Sequence, residues 1–198
     1  AAAAQKLTLI CAPPGYGKTT LAAQFATRTG SEVVWHTIEE RERDVPNLFH
    51  GLTAALLSCV PGIDSLMNAT QYTPTEFAAS ISDYLRVNTV RDCVFIFDDT
   101  HVLAGSLPAE TFLQTMVELL PPNWHLVIIG RVLPDLPLTE MIARREVIAF
   151  GQDQMRFTPD EIHRLATETH GSSSTALDIE RIAARLEGWP AGVVLALH

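Results

Sequence analysis

LTLICAPPGYGKTTL, Leu7 to Leu21, is the stretch whose reading decides the fold. An apolar run of strand-forming residues leads into a loop rich in glycine and proline, and a helical pattern starts at Lys18. In that arrangement the backbone N–H groups of Gly15, Tyr16, Gly17 and Lys18 curl around one anionic group. The free amides and positive dipole end of the helix face the same charge. Pro14 shapes the loop without donating. Lys18 is placed to reach terminal phosphates, Thr19 to offer its hydroxyl to Mg²⁺, and Thr20 to line the helix start beside them. The spacing departs at one position from G-x-x-x-x-G-K-[ST], because Ala12 stands where the first glycine belongs. Alanine suffices there if the residue only ends the strand with ordinary φ, while Gly15 and Gly17 keep the freedom where the backbone must bend.

A second carboxylate-bearing strand is expected at Cys93-Val-Phe-Ile-Phe-Asp-Asp99. The continuous apolar run suits a strand buried on both faces, and carboxylates at its end need a reason, since an unpaired buried charge is expensive. A Mg²⁺-nucleotide complex supplies one: Asp98 holds the metal through water and Asp99 polarises the attacking water, the alternative being that both cap the following helix or pair with local arginines. Arg131, just past the apolar run 125–130, is a candidate sensor of the γ-phosphate, with a structural ion pair as the alternative.

The rest of residues 1–151 alternates strands and helices. Strands are expected at 33–38 and 146–150, and helices at 18–29 (closed by Gly30), from Pro46, from Pro74, at 108–120 and at 138–145. The charged run 39–44 reads as a solvated loop, and so does 63–72. Residues 152–198 read as helices. Thr158-Pro-Asp-Glu161 is a capping box, with Phe157 and Ile162 set as a hydrophobic staple. A polar break at 171–174 precedes a helix from about Thr175, and Gly188-Trp189-Pro190 interrupts the pattern before a last apolar segment.

Composition narrows the function classes. A formal net charge of -9 across 198 residues argues against wrapping a nucleic-acid backbone. No apolar run is long enough to span a bilayer, and no secretory signal is visible. Cys11, Cys59 and Cys93 sit in apolar surroundings and read as reduced residues of a cytoplasmic protein. No histidine pair has metal-ligand spacing, so no zinc site is assigned, and His101 reads as a helix-start or loop hydrogen-bonding residue in preference to a general base. The absence of an Asn-Lys-x-Asp segment argues against guanine as the base.

Taken together, APPGYGKTT at 12–20, FIFDDTH at 95–101, IIGR at 128–131, FTPDEI at 157–162 and EGWPAGV at 187–193 resemble the nucleotide-binding domain of the STAND class of signal-transduction ATPases. Within that class the resemblance is to large ATP-binding LuxR-type transcription regulators of the maltose-regulon activator kind. It implies an α/β P-loop NTPase core of the ASCE type at residues 1–151, with a five-stranded parallel sheet of order 2-3-4-1-5. A helical lid at 152–198 is implied with it. Lys18 and Thr19 then belong to Walker A and Asp98 and Asp99 to Walker B. Arg131 becomes the first sensor, and Gly188-Trp189-Pro190 the GxP element, with Trp189 and Pro190 near the nucleotide. The implied cofactors are ATP or ADP with Mg²⁺. The implied function is a switch that hydrolyses ATP slowly, with Asp99, Lys18 and Arg131 in the catalytic roles, and self-associates in the ATP state. DNA binding is expected from a separate helix-turn-helix, since such regulators continue into winged-helix, repeat-sensor and helix-turn-helix parts. The alternative weighed against this is a small-molecule kinase sharing the phosphate loop, for which the sequence offers no arginine-rich acceptor lid.

Overall fold

The computed structural model describes residues 5–68, 72–170 and 176–197. Its centre is the strand β3 (Cys93–Asp98), buried along its whole length. Alternation along the strand sends Cys93, Phe95 and Phe97 to one face and Val94 and Ile96 to the other, so the run is apolar throughout because both faces are covered. Together with β1 (Leu7–Cys11), β2 (Glu32–Thr37), β4 (Trp124–Gly130) and β5 (Val147–Phe150) it makes a parallel sheet of order β2-β3-β4-β1-β5. The order is the expected one. Registers Cys11↔Gly130 and Phe97↔Ile128 bring the carboxyl ends of β1, β4 and β3 side by side, where ligands of open α/β sheets collect.

Helix α1 (Lys18–Arg28) covers one face through Ala22, packed with Ile10, Val94, Ile96, Val127 and Ile129. Helices α2 (Val45–Leu56), α3 (Pro74–Asn88), α4 (Leu107–Leu119) and α5 (Leu138–Ala143) cover the other. Phe77 anchors that side, stacked on Phe49 with ring centroids 3.8 Å apart and tilted toward Phe112 at 6.1 Å. Local signals set the starts of these helices. Pro74 occupies the first turn of α3, while the amide of Glu76 donates to Thr73 Oγ1 (3.2 Å) and that of Thr73 to the Glu76 carboxylate (2.9 Å).

Three expectations need correction. The run 39–44 is not simply solvated: Glu40–Arg43 form a 3-10 turn that buries Glu42, whose carboxylate accepts from the Glu39 amide (2.7 Å) and pairs with His36 Nε2 (2.9 Å). Four of the five charges from Glu39 to Arg43 face water; the fifth satisfies a histidine at the end of β2. Residues Ile63–Asn68 form another 3-10 turn, with Ile63 fully buried, and the remainder of that expected loop, 69–71, lies outside the described residues. Helix α1 ends at Arg28, with extended Thr29 as its cap, so Gly30 is not the stop.

The C-terminal piece follows a short 3-10 turn (Asp153–Met155) and comprises α6 (Pro159–His170), α7 (Ala176–Leu186) and α8 (Pro190–Ala196). It has its own core of Ile162, Ala166, Ile179, Val193 and Leu197. The staple and capping box form as expected, with Phe157 packed on that cluster and Thr158 and Glu161 exchanging hydrogen bonds. The polar break at 171–174 lies outside the described residues.

Candidate functional site

The loop between β1 and α1 takes the shape its glycines allow. Gly15 (φ 80°) and Gly17 (φ 75°) adopt left-handed backbone, which side-chain-bearing residues rarely do, and Gly17 becomes the N-cap of α1. Ala12 is buried and is not left-handed, so the substituted glycine position needs no special conformation. Pro14 is exposed at the loop crest, and Thr20 is exposed in the first turn of α1. Tyr16 instead turns inward, where its hydroxyl accepts from Gln152 Nε2 at 2.9 Å.

Lys18 and Asp98 are the two buried charges of this corner. Lys18 is 9% exposed, and its Nζ donates to Pro13 O at 3.1 Å. Burial, and then the nearby guanidinium of Arg131, push its pKa below the usual lysine value. Asp98 is 4% exposed and accepts from Thr19 Oγ1 through Oδ2 and from the Asp99 amide through Oδ1, each at 2.9 Å. Burial raises its pKa despite those hydrogen bonds. The protein alone therefore disfavours the charged form of both side chains. Phosphates would supply the anion Lys18 calls for, and a divalent cation beside Thr19 and Asp98 would supply the positive charge the carboxylate calls for. Hydroxyl and carboxylate oxygens are the donor set that Mg²⁺ prefers, so these two residues fit that ion.

Asp99 differs from its neighbour. It has left-handed backbone (φ 57°) and a half-exposed carboxylate. Arg131 follows Gly130 directly, is exposed, and has no carboxylate partner among the described residues. The structural-ion-pair alternative for Arg131 thus finds no support, and its charge acts on Lys18 instead.

The GxP segment reaches the loop from the helical piece. Trp189 Nε1 donates to Pro14 O at 3.2 Å, and the Ala191 amide donates to Gly15 O at 3.0 Å. The approach is close enough that a Cβ on Gly15 would stand 2.6 Å from Trp189 Nε1 and 2.8 Å from Ala191 Cβ. Gly188 (φ 72°) is pressed on Phe157, where a Cβ would lie 2.5 Å from the Phe157 carbonyl oxygen. Pro190 is buried at the start of α8, and the Trp189 ring, 38% exposed, lies over Gly192. Trp189 is thus set against the backbone of the phosphate loop. Sequence reasoning missed Gln152 and Ala191. Gln152 stands two residues past β5, at the same sheet end as the other site residues, and that position was the available signal.

Among the described residues, a cavity of about 690 Å³ at the amino ends of the strands beside Arg91 and Asn123 and another of about 320 Å³ between α1 and Ile148 lie elsewhere. Neither touches the Lys18–Asp98 corner, which is recognised by its donor geometry and not by enclosed volume.

A glycine-bent loop opening a helix, a Thr–Asp hydrogen bond across to a buried strand end, and a second carboxylate beside it define the core of a P-loop ATPase. The chain belongs to the AAA family (ATPase family associated with various cellular activities), whose model matches residues 8–146. Among curated proteins it is similar to the HTH-type transcriptional regulators MalT of Vibrio cholerae and Serratia proteamaculans. It is 25% identical to the former and 26% to the latter, over 96% of this chain and 21% of each relative. The chain therefore spans about a fifth of the length of those relatives. Among solved structures it is similar to a STAND protein with a tetratricopeptide-repeat sensor, PH0952 of Pyrococcus horikoshii. The TM-score is 0.65 at 18% identity, covering 98% of this chain and 28% of that one. A Walker-type ATPase of Pyrococcus abyssi follows with TM-score 0.55 and 16% identity, over 98% of this chain and 62% of that one. At these identities the solved structures speak to the fold. The fold is the one implied by the five sequence blocks.

Proposed function

We propose that this chain is the nucleotide-dependent switch domain of a STAND-type, LuxR-like transcription regulator. It binds ATP or ADP with Mg²⁺, hydrolyses ATP slowly, and self-associates in the ATP state in the cytoplasm. The observation that carries the reading is the pair of hydrogen bonds from Trp189 and Ala191 to Pro14 and Gly15, because they tie the helical piece to the loop that would hold the phosphates. A ligand shifts a conformational equilibrium only through contacts that differ between states, and a lid bonded to the phosphate loop supplies such contacts.

The geometry supports the following division of labour. The amides of Gly15, Tyr16, Gly17 and Lys18 hold the β-phosphate, with Thr20 beside them and Lys18 bridging toward the γ-phosphate. Thr19 and Asp98 would hold the cation, which would supply positive charge to neutralise the charge developing on the phosphate oxygens. Asp99, half exposed at the strand end, orients the attacking water and takes its proton. Arg131 contacts the γ-phosphate, the group that distinguishes ATP from ADP. Residues 1–151 form the binding core and 152–198 the lid, with Trp189 and Pro190 closing it. A net charge of -9 leaves DNA contact to another part of the regulator.

The test is to denature the purified protein and identify released nucleotide by chromatography. Recovery of ADP or ATP in near-stoichiometric amount is expected. An empty protein that also fails to bind added Mg·ADP would overturn the reading.

A further inference from the structure

His101 Nδ1 is a buried nitrogen with no hydrogen-bond partner, and it faces Asp99 Oδ1 at 3.6 Å. A buried polar atom left unpaired is costly, and one such atom beside a carboxylate at a reaction centre calls for an explanation. The separation is too long for a hydrogen bond; shortening it by about 0.7 Å makes one. Which partner moves is decided by the packing. His101 sits in the 3-10 turn Thr100–Leu103, pinned by three features: Thr100 Oγ1 donates to Ile129 O at 3.0 Å, Leu103 is buried, and the Ala104 amide bonds to His101 O. Gly130 lies so close beneath the turn that a Cβ there would be 2.8 Å from Thr100 Oγ1. The Asp99 carboxylate, by contrast, is half exposed and makes no hydrogen bond among the described residues.

We propose that His101 is a positioning residue for ATP hydrolysis: its Nδ1–H binds Asp99 Oδ1 and leaves Oδ2 aimed at the attacking water. The proposal rests on the reading of Asp99 as the water-orienting carboxylate. An ionised carboxylate only accepts, so the contact requires the proton on Nδ1. His101 then acts as the orienting third group behind a base, fixing one oxygen so that the other needs no search.

The experiment is a double-mutant cycle on single-turnover ATP hydrolysis, with ATP affinity and thermal unfolding recorded for every variant. His101→Ala is expected to slow turnover about tenfold while ATP affinity and unfolding temperature hold. His101→Asn, whose amide nitrogen falls near the Nδ1 position, is expected to recover to within about threefold of wild type. In an Asp99→Asn background, His101→Ala should add nothing. If His101→Ala lowers the unfolding temperature, His101→Gln takes its place, because it fills the space with its amide at the Nε2 position; it is expected to be as slow as predicted for alanine. Wild-type rates in His101→Ala, or an equal loss in the Asp99→Asn background, overturn the inference alone. A wild-type chain that turns over no ATP overturns it together with the reading of Asp99.

Discussion

Replacing Trp189 distinguishes a lid that steadies the phosphate loop from a lid that stacks on the base. In the structure the indole N–H bonds to Pro14 O at 3.2 Å while the ring covers Gly192 within its own helix. Trp189→Phe keeps a ring over Gly192 and removes only the donor. Because the side chain is 38% exposed, water can replace it at the Pro14 carbonyl, so the loss falls in the lower half of the usual range, about 0.5–1 kcal/mol, or roughly two- to fivefold in affinity. Trp189→Ala also removes the ring. With about three-fifths of a 150–250 Å² side chain buried, at about 25 cal/mol per Å², that costs about 2–4 kcal/mol. Part of it is lost within the lid itself and does not appear in binding, leaving a weakening of roughly tenfold to thirtyfold. Calorimetric titration should be run with Mg·ADP and with Mg·tripolyphosphate, which has no base. Equal proportional losses for both ligands are expected, since the contact acts through the loop. A loss for ADP with unchanged tripolyphosphate affinity would place the indole on the base and refute the reasoning.

The remaining expectations can be checked one residue at a time. Burial raises the Asp98 pKa, so the folded state holds the proton more tightly than the unfolded one, and the metal-free protein loses stability as pH rises above the ordinary value of 3.8. Asp98→Asn should therefore raise the unfolding temperature of the metal-free protein at pH 7, with the difference vanishing below pH 3.8, while the Mg²⁺ dependence of nucleotide binding weakens. Differential scanning calorimetry across pH reads the first effect and titration with and without Mg²⁺ the second. Arg131→Ala should leave ADP affinity within about threefold and weaken ATP roughly tenfold, the size of one charge-assisted hydrogen bond; equal losses for both nucleotides would make Arg131 a scaffold residue. Glu42→Ala strands His36 and the Glu39 amide, costing about 2 kcal/mol and lowering the unfolding temperature by roughly 4–8 °C, whereas Glu42→Gln, which still accepts from one of them, should cost less than half as much.

What the sequence showed and what it hid divide along one physical line. Features fixed by neighbours in the chain were legible: the apolar run of β3, the capping box at Thr158, and the bends at Gly15 and Gly17. The close approach of Thr19 to Asp98 could be expected as well, because the motif carries it across 79 residues. Features fixed by partners without a motif were not. Glu42 looks like any other charge in an alternating run, and only the fold brings His36 beneath it. Gln152 meets Tyr16 over a separation of 136 residues, and neither residue type announces the other. Trp189 could be assigned to the lid from its GxP setting, but whether the indole faces the base or the loop depends on the angle at which α8 leaves Gly188. His101 reads from the sequence as a helix-start or loop residue, and it stands in the first turn of the 3-10 segment Thr100–Leu103. The unpaired Nδ1 beside Asp99 exists only in three dimensions.

The central claim is that nucleotide binds at the loop between β1 and α1, and Lys18→Ala tests it most directly. Burial and Arg131 disfavour the Lys18 charge in the protein alone, so its removal should leave circular dichroism and the unfolding temperature near wild type. Calorimetric titration with Mg·ADP and Mg·ATP should then show saturable binding to the wild-type chain and none to the variant at the same concentrations. Undiminished affinity in a folded Lys18→Ala protein would contradict the account at its root.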